Sequence, residues 1–180
     1  MIRLVGPGGA GKTTVGALLA EVLGCAFLDL DQEFAVRFGD IDEFISSEGY
    51  EVYARDNIET YLAIERSAFS GVLALSSGFM TYPTDVHLLY VRIHEDIARS
   101  PTTFVLLPSV EFEACVAETV RRQLARPFGT RTVAREESVI RERYGKYLAL
   151  PAAKVETMNP PRAVATEIRA KLCLVAGAGH

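Results

Sequence analysis

Short apolar runs alternate along the chain with longer segments in which apolar residues recur every three or four positions. The runs are bounded by glycine, proline or polar residues, as buried strands are, whereas the longer spacing is typical of amphipathic helices. We predict strands at residues 2–5, 26–30, 71–75, 102–107 and 154–156, and helices at residues 12–23, 53–69, 85–97, 111–124, 138–148 and 162–174. Gly24 is expected to end the first helix and Asn159 to cap the last.

This alternation of strands and helices predicts an α/β fold. The expected architecture is a central, mostly parallel sheet of about five strands, with helices on both faces. No internal repeat, low-complexity tract or linker interrupts the pattern. We therefore predict a single domain over residues 1–175, followed by a short frayed tail at residues 176–180.

Composition narrows the class of protein. The chain has 180 residues, of which 49% are hydrophobic, and a net charge of −4, which suits one globular domain and excludes a disordered chain. It has no apolar run long enough to cross a membrane, and we read no signal peptide at its start. Cys25, Cys115 and Cys173 lie far apart in apolar surroundings without metal-binding spacing, so we expect reduced, buried thiols in a cytoplasmic protein.

Charge is distributed unevenly. Residues 121–146 contain eight basic and three acidic side chains, so the remainder of the chain carries a net charge of −9. Nucleic acid is a poor fit, because that remainder would repel phosphates and no aromatic residues interleave with the basic ones. The basic segment instead favours a small, multiply charged anionic ligand.

The sequence from Gly6 to Thr13 matches the phosphate-binding pattern G-x-x-x-x-G-K-[ST] between a predicted strand and a predicted helix. Glycines let backbone N–H groups approach phosphate oxygens, and the helix directs its positive end at the same anion. Lys12 is then expected to reach the outer phosphates and the Thr13 hydroxyl to bind Mg²⁺. The predicted nucleotide-binding residues are Gly6, Gly8, Gly9, Ala10, Gly11, Lys12, Thr13 and Thr14.

A dinucleotide-binding fingerprint, G-x-G-x-x-G, overlaps this loop and has Asp29 and Asp31 near the expected distance downstream. The nucleoside-triphosphate interpretation is more specific, because Lys12 and Thr13 are residues that only triphosphate chemistry needs. Asp29 and Asp31 are expected to alternate along a strand end, so that both carboxylates point to one side. The D-x-x-G and N-K-x-D motifs of switch GTPases are absent. A small-molecule kinase is the class that fits the length and motifs.

Further landmarks follow the loop in a characteristic order. Residues 27–31 resemble F-x-D-x-D, and Glu48 and Gly49 followed by Tyr53 and Arg55 resemble G-E-x-x-F-R. Residues 76–78 stand where three glycines are expected, and residues 126–128 resemble the R-P-L of a mobile lid. Nearer the C-terminus, residues 143–147 resemble R-x-P-L-Y and residues 155–157 resemble V-D-T. Together these landmarks resemble the shikimate kinase family over nearly the whole chain.

The resemblance implies a P-loop kinase fold with a mobile lid at roughly residues 121–137. It implies transfer of the ATP γ-phosphoryl group to a ring hydroxyl of shikimate, a reaction of aromatic amino acid biosynthesis, with ATP and Mg²⁺ required. Transfer of this kind depends mainly on positioning and charge stabilisation.

The resemblance also implies roles for individual residues. Asp31 is expected to orient or deprotonate the acceptor hydroxyl, with Lys12 and the lid residue Arg126 stabilising the transferred phosphoryl group. Asp29 joins Thr13 in holding Mg²⁺. The acceptor is assigned to Asp31, Arg55, Ser76, Ser77, Gly78 and Arg143, among which Arg143 and Arg55 would clamp its carboxylate.

Three departures from the family pattern lie on the acceptor side. Two serines, Ser76 and Ser77, replace glycines and would narrow the site; Arg55 stands one position late because Ala54 precedes it; and the lid is short. Two alternatives therefore stay open, a kinase of the same fold for another small hydroxylated metabolite or a nucleoside monophosphate, and a nucleotide-binding module without catalysis. In each case we expect a monomer or weak dimer.

Overall fold

Five parallel strands form the central sheet of the computed structural model, in the order β2-β3-β1-β4-β5. The structure describes residues 1–125 and 132–177. The strands are β1 (Ile2–Val5), β2 (Ala26–Asp29), β3 (Gly71–Ala74), β4 (Thr103–Leu107) and β5 (Ala153–Glu156). The predicted five-stranded parallel sheet is confirmed.

Eight helices connect and cover these strands in the described residues. They are α1 (Lys12–Leu23), α2 (Leu30–Phe38), α3 (Ile41–Glu48), α4 (Tyr50–Arg66), α5 (Tyr90–Arg99), α6 (Phe112–Leu124), α7 (Val133–Ala149) and α8 (Pro161–Gly177), with a single 3₁₀ turn at Phe79–Thr81. Within the two described ranges, no helix combines the length and apolarity needed to span a membrane.

Successive strand residues point to opposite faces of the sheet, and each face has its own core. Leu4 packs with α1 and α8 residues such as Leu19 and Ile168, whereas the next residue, Val5, packs with residues of α4 and α7 such as Ile58 and Tyr147. Burial on both sides explains why β3 and β4, whose residues are all buried, are nearly continuous apolar runs. Helices therefore cover both faces, as predicted.

Residues 30–48 contain two helices that the apolar pattern did not predict. Asp29 ends β2 and caps α2, because its Oδ1 accepts a hydrogen bond from the Asp31 amide at 3.0 Å. Asp40 caps α3 in the same way, accepting from the Glu43 amide at 3.0 Å. The prediction that Asp29 and Asp31 alternate along one strand is therefore wrong, since Asp31 lies in the first turn of α2.

Other boundaries also differ from the prediction. α5 begins at Tyr90 rather than at residue 85, because the 3₁₀ turn and a series of bends occupy the preceding residues. At α8 the Pro160 carbonyl accepts from the Ala163 amide at 2.8 Å, so Pro160 rather than Asn159 stands at the cap position. That helix continues to Gly177, and residues 178–180 lie outside the described part of the chain.

The cysteines differ in burial. Cys115 is buried, as predicted, whereas Cys25 and Cys173 are exposed, so the prediction of buried thiols is wrong for these two.

Candidate active site

The loop between β1 and α1 has a backbone that only glycine adopts easily. Gly11 precedes α1 with φ of 86°, in the left-handed region. Gly6 lies so close to β4 that an added Cβ would stand 2.2 Å from the carbonyl oxygen of Leu106. The loop consequently wraps tightly in front of the α1 N-terminus, where backbone N–H groups and the helix dipole favour a phosphate group.

Lys12 is the first residue of α1, and its ammonium group folds back over the loop. Its Nζ donates to the carbonyl oxygens of Gly6 at 2.7 Å and Pro7 at 2.9 Å. These contacts hold the charge at the mouth of the loop. A nucleotide phosphate can exchange for them, because a charged acceptor binds an ammonium more strongly than a neutral carbonyl does.

Thr13 and Asp29 connect the phosphate loop to the end of β2. The Thr13 hydroxyl donates to Oδ2 of the buried Asp29 at 2.6 Å, while the other carboxylate oxygen accepts from the Asp31 amide. A hydroxyl and a carboxylate oxygen held together beside a phosphate site are hard oxygen donors, which Mg²⁺ prefers. The residues present therefore fit a magnesium ion held between protein and nucleotide.

A cavity of about 620 Å³ extends from this loop along the carboxyl edge of the sheet. It brings together many of the residues predicted from the sequence, namely Gly8, Gly9, Gly11, Lys12, Thr13, Thr14, Asp29, Asp31, Ser77, Gly78 and Arg143. Ligands of open α/β sheets bind at this edge, where neighbouring strands lead to helices on opposite faces. One cavity thus contains most of the predicted phosphate-binding residues and four of the six predicted acceptor-binding residues, namely Asp31, Ser77, Gly78 and Arg143.

The far end of the cavity is called the acceptor end because it contains the predicted acceptor residues Ser77, Gly78 and Arg143, and it is organised around Arg143 of α7. One guanidinium nitrogen donates to the backbone oxygen of Ser77 at 3.3 Å, and the other donates to the Tyr50 hydroxyl at 3.1 Å. Tyr147 also donates to the Ser77 carbonyl, at 2.8 Å, which joins the loop after β3 to α7. The guanidinium is held at the wall by its partners and can still face an anionic ligand.

Two predicted acceptor residues lie away from the cavity. Arg55 is on the exposed side of α4, where it forms an ion pair with Glu51 at 3.1 Å, because two residues of helix separate it by about 200° from the cavity-lining Tyr53. Ser76 is buried beneath the loop after β3 and does not line the cavity. The placement of both residues at the acceptor is therefore corrected.

Other predicted residues have indirect positions or lie outside the description. Gly6 and Ala10 shape the loop from behind, with Ala10 fully buried, and do not line the cavity. Arg126 and the rest of residues 126–131, within the predicted lid, lie outside the described residues. The role expected for Arg126 stays a prediction.

The structure adds cavity residues that sequence reasoning did not assign to the site. Tyr50 and Tyr53 line it from α4, and Gln123 lines it from α6. Gln123 is buried and donates to Glu136 at 3.1 Å, with its amide directed toward Gly8. Tyr53 was recognised only as a helix landmark, and no sequence signal marked Tyr50 or Gln123.

Electrostatics at the acceptor end keep the phenols neutral. Burial raises the pKa of Tyr53, and the nearby Asp31 charge raises it further. Removal from water also raises the pKa of Tyr50, although the adjacent Arg143 opposes that rise. Both tyrosines therefore retain their hydroxyl protons at neutral pH and are available as hydrogen-bond donors.

A second groove, of about 520 Å³, continues from the phosphate loop between α6 and the start of α8. Arg122 forms part of it and donates to the carbonyl oxygens of Gly9 at 3.2 Å and Thr157 at 2.7 Å. Glu118 holds the same guanidinium, and hydrogen bonds from Arg121 and Arg122 lower the pKa of Glu118 to about 2. The groove shares Gly9, Gly11 and Thr14 with the cavity and has room for the rest of a nucleotide.

Comparison with known proteins extends over nearly the full chain. The family model described as Shikimate kinase matches residues 8–173. A shikimate kinase of Thermobifida fusca is 33% identical over 175 residues, and the match covers 97% of this chain and 95% of the relative. A shikimate kinase of Pseudomonas syringae pv. syringae is 33% identical over 173 residues, and that match covers 94% of each chain. The structure of shikimate kinase from Acinetobacter baumannii in complex with shikimate aligns with a TM-score of 0.71 at 29% identity, covering 97% of this chain and 93% of that chain.

Proposed function

The chain belongs to the shikimate kinase family, and we propose that it transfers the γ-phosphoryl group of ATP to a ring hydroxyl of shikimate, giving shikimate 3-phosphate. It is an ATP-dependent kinase. The observation that carries the choice of acceptor is the single cavity that joins the phosphate loop to Asp31 and Arg143. A hydroxylated carboxylic acid bound in this cavity can place its carboxylate at the Arg143 guanidinium and one of its hydroxyl groups toward the Asp31 carboxylate.

Five of the residues that line the cavity have proposed roles in phosphoryl transfer. Lys12 exchanges its hydrogen bonds to the loop carbonyls for bonds to the outer phosphates. Thr13 and Asp29 would hold Mg²⁺, which would neutralise phosphate charge. Asp31 orients the acceptor hydroxyl and accepts its proton as the oxygen attacks the γ-phosphorus. The bond between the γ-phosphorus and the oxygen that bridges it to the β-phosphorus breaks, and ADP leaves. Arg143 binds the acceptor carboxylate, which fixes the direction of attack.

The remaining assignments follow the same geometry. The groove beside Arg122 receives the base and ribose, because it is continuous with the phosphate loop. The role over the transferred phosphoryl group that the family resemblance implies for Arg126 stays a prediction, because Arg126 lies outside the described residues. The predicted cytoplasmic location and the monomeric or weakly dimeric state stay predictions.

The test is ADP release by the purified protein with MgATP, measured with and without shikimate. A panel of other hydroxy acids, sugars, amino alcohols and nucleoside monophosphates is measured in parallel. We expect saturable stimulation by shikimate and a loss of roughly 100-fold or more in kcat for Asp31→Asn. Asp85→Asn is the matched control, because Asp85 is exposed and lines no part of the cavity.

Two outcomes contradict the proposal. Stimulation by a different panel compound alone would mean that the kinase acts on another acceptor. ATP binding without any stimulated ADP release would favour a module that binds nucleotide without catalysis.

A further inference from the structure

Tyr50, the first residue of α4, covers the acceptor end of the cavity. Its ring packs edge-on against Tyr82, with centroids 6.0 Å apart, and lies beside Tyr53 at 5.7 Å. The preceding Gly49 has φ of 90°, a value that lets the chain turn sharply between α3 and α4. The phenol is consequently placed by its aromatic neighbours and by the start of the helix.

The Tyr50 hydroxyl lies directly over Gly78. An added Cβ on Gly78 would stand 2.5 Å from this hydroxyl and 3.4 Å from a guanidinium nitrogen of Arg143. Of the three positions where the family has glycine, this chain has serine at the first two and glycine at the third. The glycine that this chain retains, Gly78, is therefore the position at which a side chain would collide with the Tyr50 hydroxyl.

The hydroxyl has one bond formed and one available. It accepts from Arg143 at 3.1 Å, and within residues 1–125 and 132–177 its own proton has no acceptor. The phenol stays protonated because its pKa is raised by removal from water. Tyr50 is therefore a neutral donor beside a guanidinium, both facing the same cavity.

A carboxylate has about four lone-pair sites, and both terminal guanidinium nitrogens of Arg143 already donate to Ser77 and Tyr50, so a carboxylate bound here has acceptor sites for further donors. Arg55 points away from the cavity, and Ala54, at the position that resembles the family arginine, is fully buried. Among the described residues, Arg143 is the one arginine that lines the 620 Å³ cavity. Tyr50 is hydrogen-bonded to Arg143 and supplies a further donor directly beside it.

We propose that Tyr50 determines acceptor specificity by donating its hydroxyl proton to a carboxylate oxygen of the acceptor while it accepts a hydrogen bond from Arg143. The carboxylate is then bound by a guanidinium and a phenol side by side. This inference rests on the proposed function, because it takes shikimate, a monocarboxylate, as the acceptor.

The first test is Tyr50→Phe, which removes the hydroxyl and keeps the ring. We expect a rise of about tenfold in the KM for shikimate, with kcat and the KM for MgATP changed less than about twofold, since the lost bond binds ground state and transition state alike. Tyr61→Phe is the matched control on the same helix. The Tyr61 hydroxyl bonds Arg3 and Glu65 and lines no part of the cavity.

A second test uses an enzyme that lacks the Arg143 guanidinium. It distinguishes direct contact between Tyr50 and the acceptor from an effect of Tyr50 on the position of Arg143. In an Arg143→Met enzyme, the slope kcat/KM at low shikimate is compared with and without Tyr50→Phe. A further drop of about tenfold is expected if the phenol itself binds the acceptor. No further drop would show that Tyr50 only positions Arg143, and would overturn the direct contact.

Turnover of shikimate by the unmodified enzyme and by Tyr50→Phe tests the role of Tyr50 separately from the proposed function. Shikimate-dependent turnover in the unmodified enzyme with an unchanged KM in Tyr50→Phe would refute the role of Tyr50 alone. Absence of shikimate-dependent turnover in the unmodified enzyme would refute the proposed function and the inference that rests on it.

Discussion

The hydroxyl of Thr13 donates a 2.6 Å hydrogen bond to Oδ2 of Asp29, joining the start of α1 to the end of β2. The same carboxylate caps α2 through its other oxygen, which accepts from the Asp31 amide. One side chain therefore links the phosphate loop, the proposed metal site and the helix turn that holds Asp31. Changes at these positions should separate metal binding from folding.

Asp29→Asn should impair magnesium binding and leave the fold intact. Asparagine caps helices as well as aspartate does but lacks the charge that attracts the ion. We expect the Mg²⁺ concentration for half-maximal activity to rise at least about tenfold, while the free energy of unfolding changes by less than about 1 kcal/mol. A magnesium titration of activity and a urea unfolding curve check both statements. An unaltered magnesium midpoint would remove Asp29 from the metal site.

Arg143→Met and Arg55→Met should differ sharply in their effect on the acceptor. Arg143 faces the cavity, so its loss should raise the KM for shikimate roughly 10- to 100-fold. Arg55 forms an exposed pair with Glu51, and its loss should change that KM less than about twofold. Steady-state kinetics at saturating MgATP measure both. Equal effects would restore Arg55 to the acceptor site.

Arg122→Met should weaken ATP binding more than Arg121→Met, although both side chains line the groove assigned to the nucleotide. Arg122 holds the loop carbonyl of Gly9 to the β5–α8 connection, but Arg121 is exposed and bonds only to Glu118 among the described residues. We expect a rise of roughly tenfold in the KM for MgATP for Arg122→Met. Titration calorimetry with an ATP analogue checks the difference independently of turnover. Similar affinities for the two variants would contradict it.

Gly6→Ala and Gly145→Ala should shift stability in opposite directions. A Cβ at Gly6 meets the Leu106 carbonyl at 2.2 Å, so the loop must move, and a loss of about 2 kcal/mol or more is expected. A Cβ at Gly145, inside α7, meets nothing within 4 Å, so alanine should gain about 0.5–1 kcal/mol from helix propensity. Chemical denaturation of each variant provides the comparison. Destabilisation by Gly145→Ala would mean that α7 is strained there.

Glu118 should contribute stability that disappears in acid. Hydrogen bonds from Arg121 and Arg122 lower the pKa of Glu118 to about 2 in the folded protein, below its usual value of 4.5. A lowered folded pKa stabilises the protein above the unfolded pKa, and this contribution is lost as pH falls from about 4.5 to about 2. The stability difference between the unmodified protein and Glu118→Gln should therefore be largest above pH 5 and should shrink toward pH 2. A difference independent of pH would show that the charge is not responsible.

Sequence alone determined the features whose causes are local. Strands β3 and β4 follow from apolar runs that are buried on both faces. The phosphate loop follows from eight consecutive residues whose spacing is set by backbone geometry around a phosphate. Lys12, Thr13, Asp29 and Asp31 were placed together from their positions near the ends of the first two strands. Helices α2 and α3 were missed because their start signals, Asp29 and Asp40, are single capping residues rather than an apolar period.

Tertiary structure decided the acceptor end of the site. Tyr50 and Arg143 are 93 residues apart, and their hydrogen bond exists only because α4 and α7 both reach the loop that follows β3. Arg55 was assigned to the site by a motif, but the phase of α4 directs it to solvent, since each residue turns a helix by about 100°. Motif spacing carries no information about such rotations or about contacts between distant helices. The packing of the helices against the sheet sets both the rotation of α4 and its contact with α7.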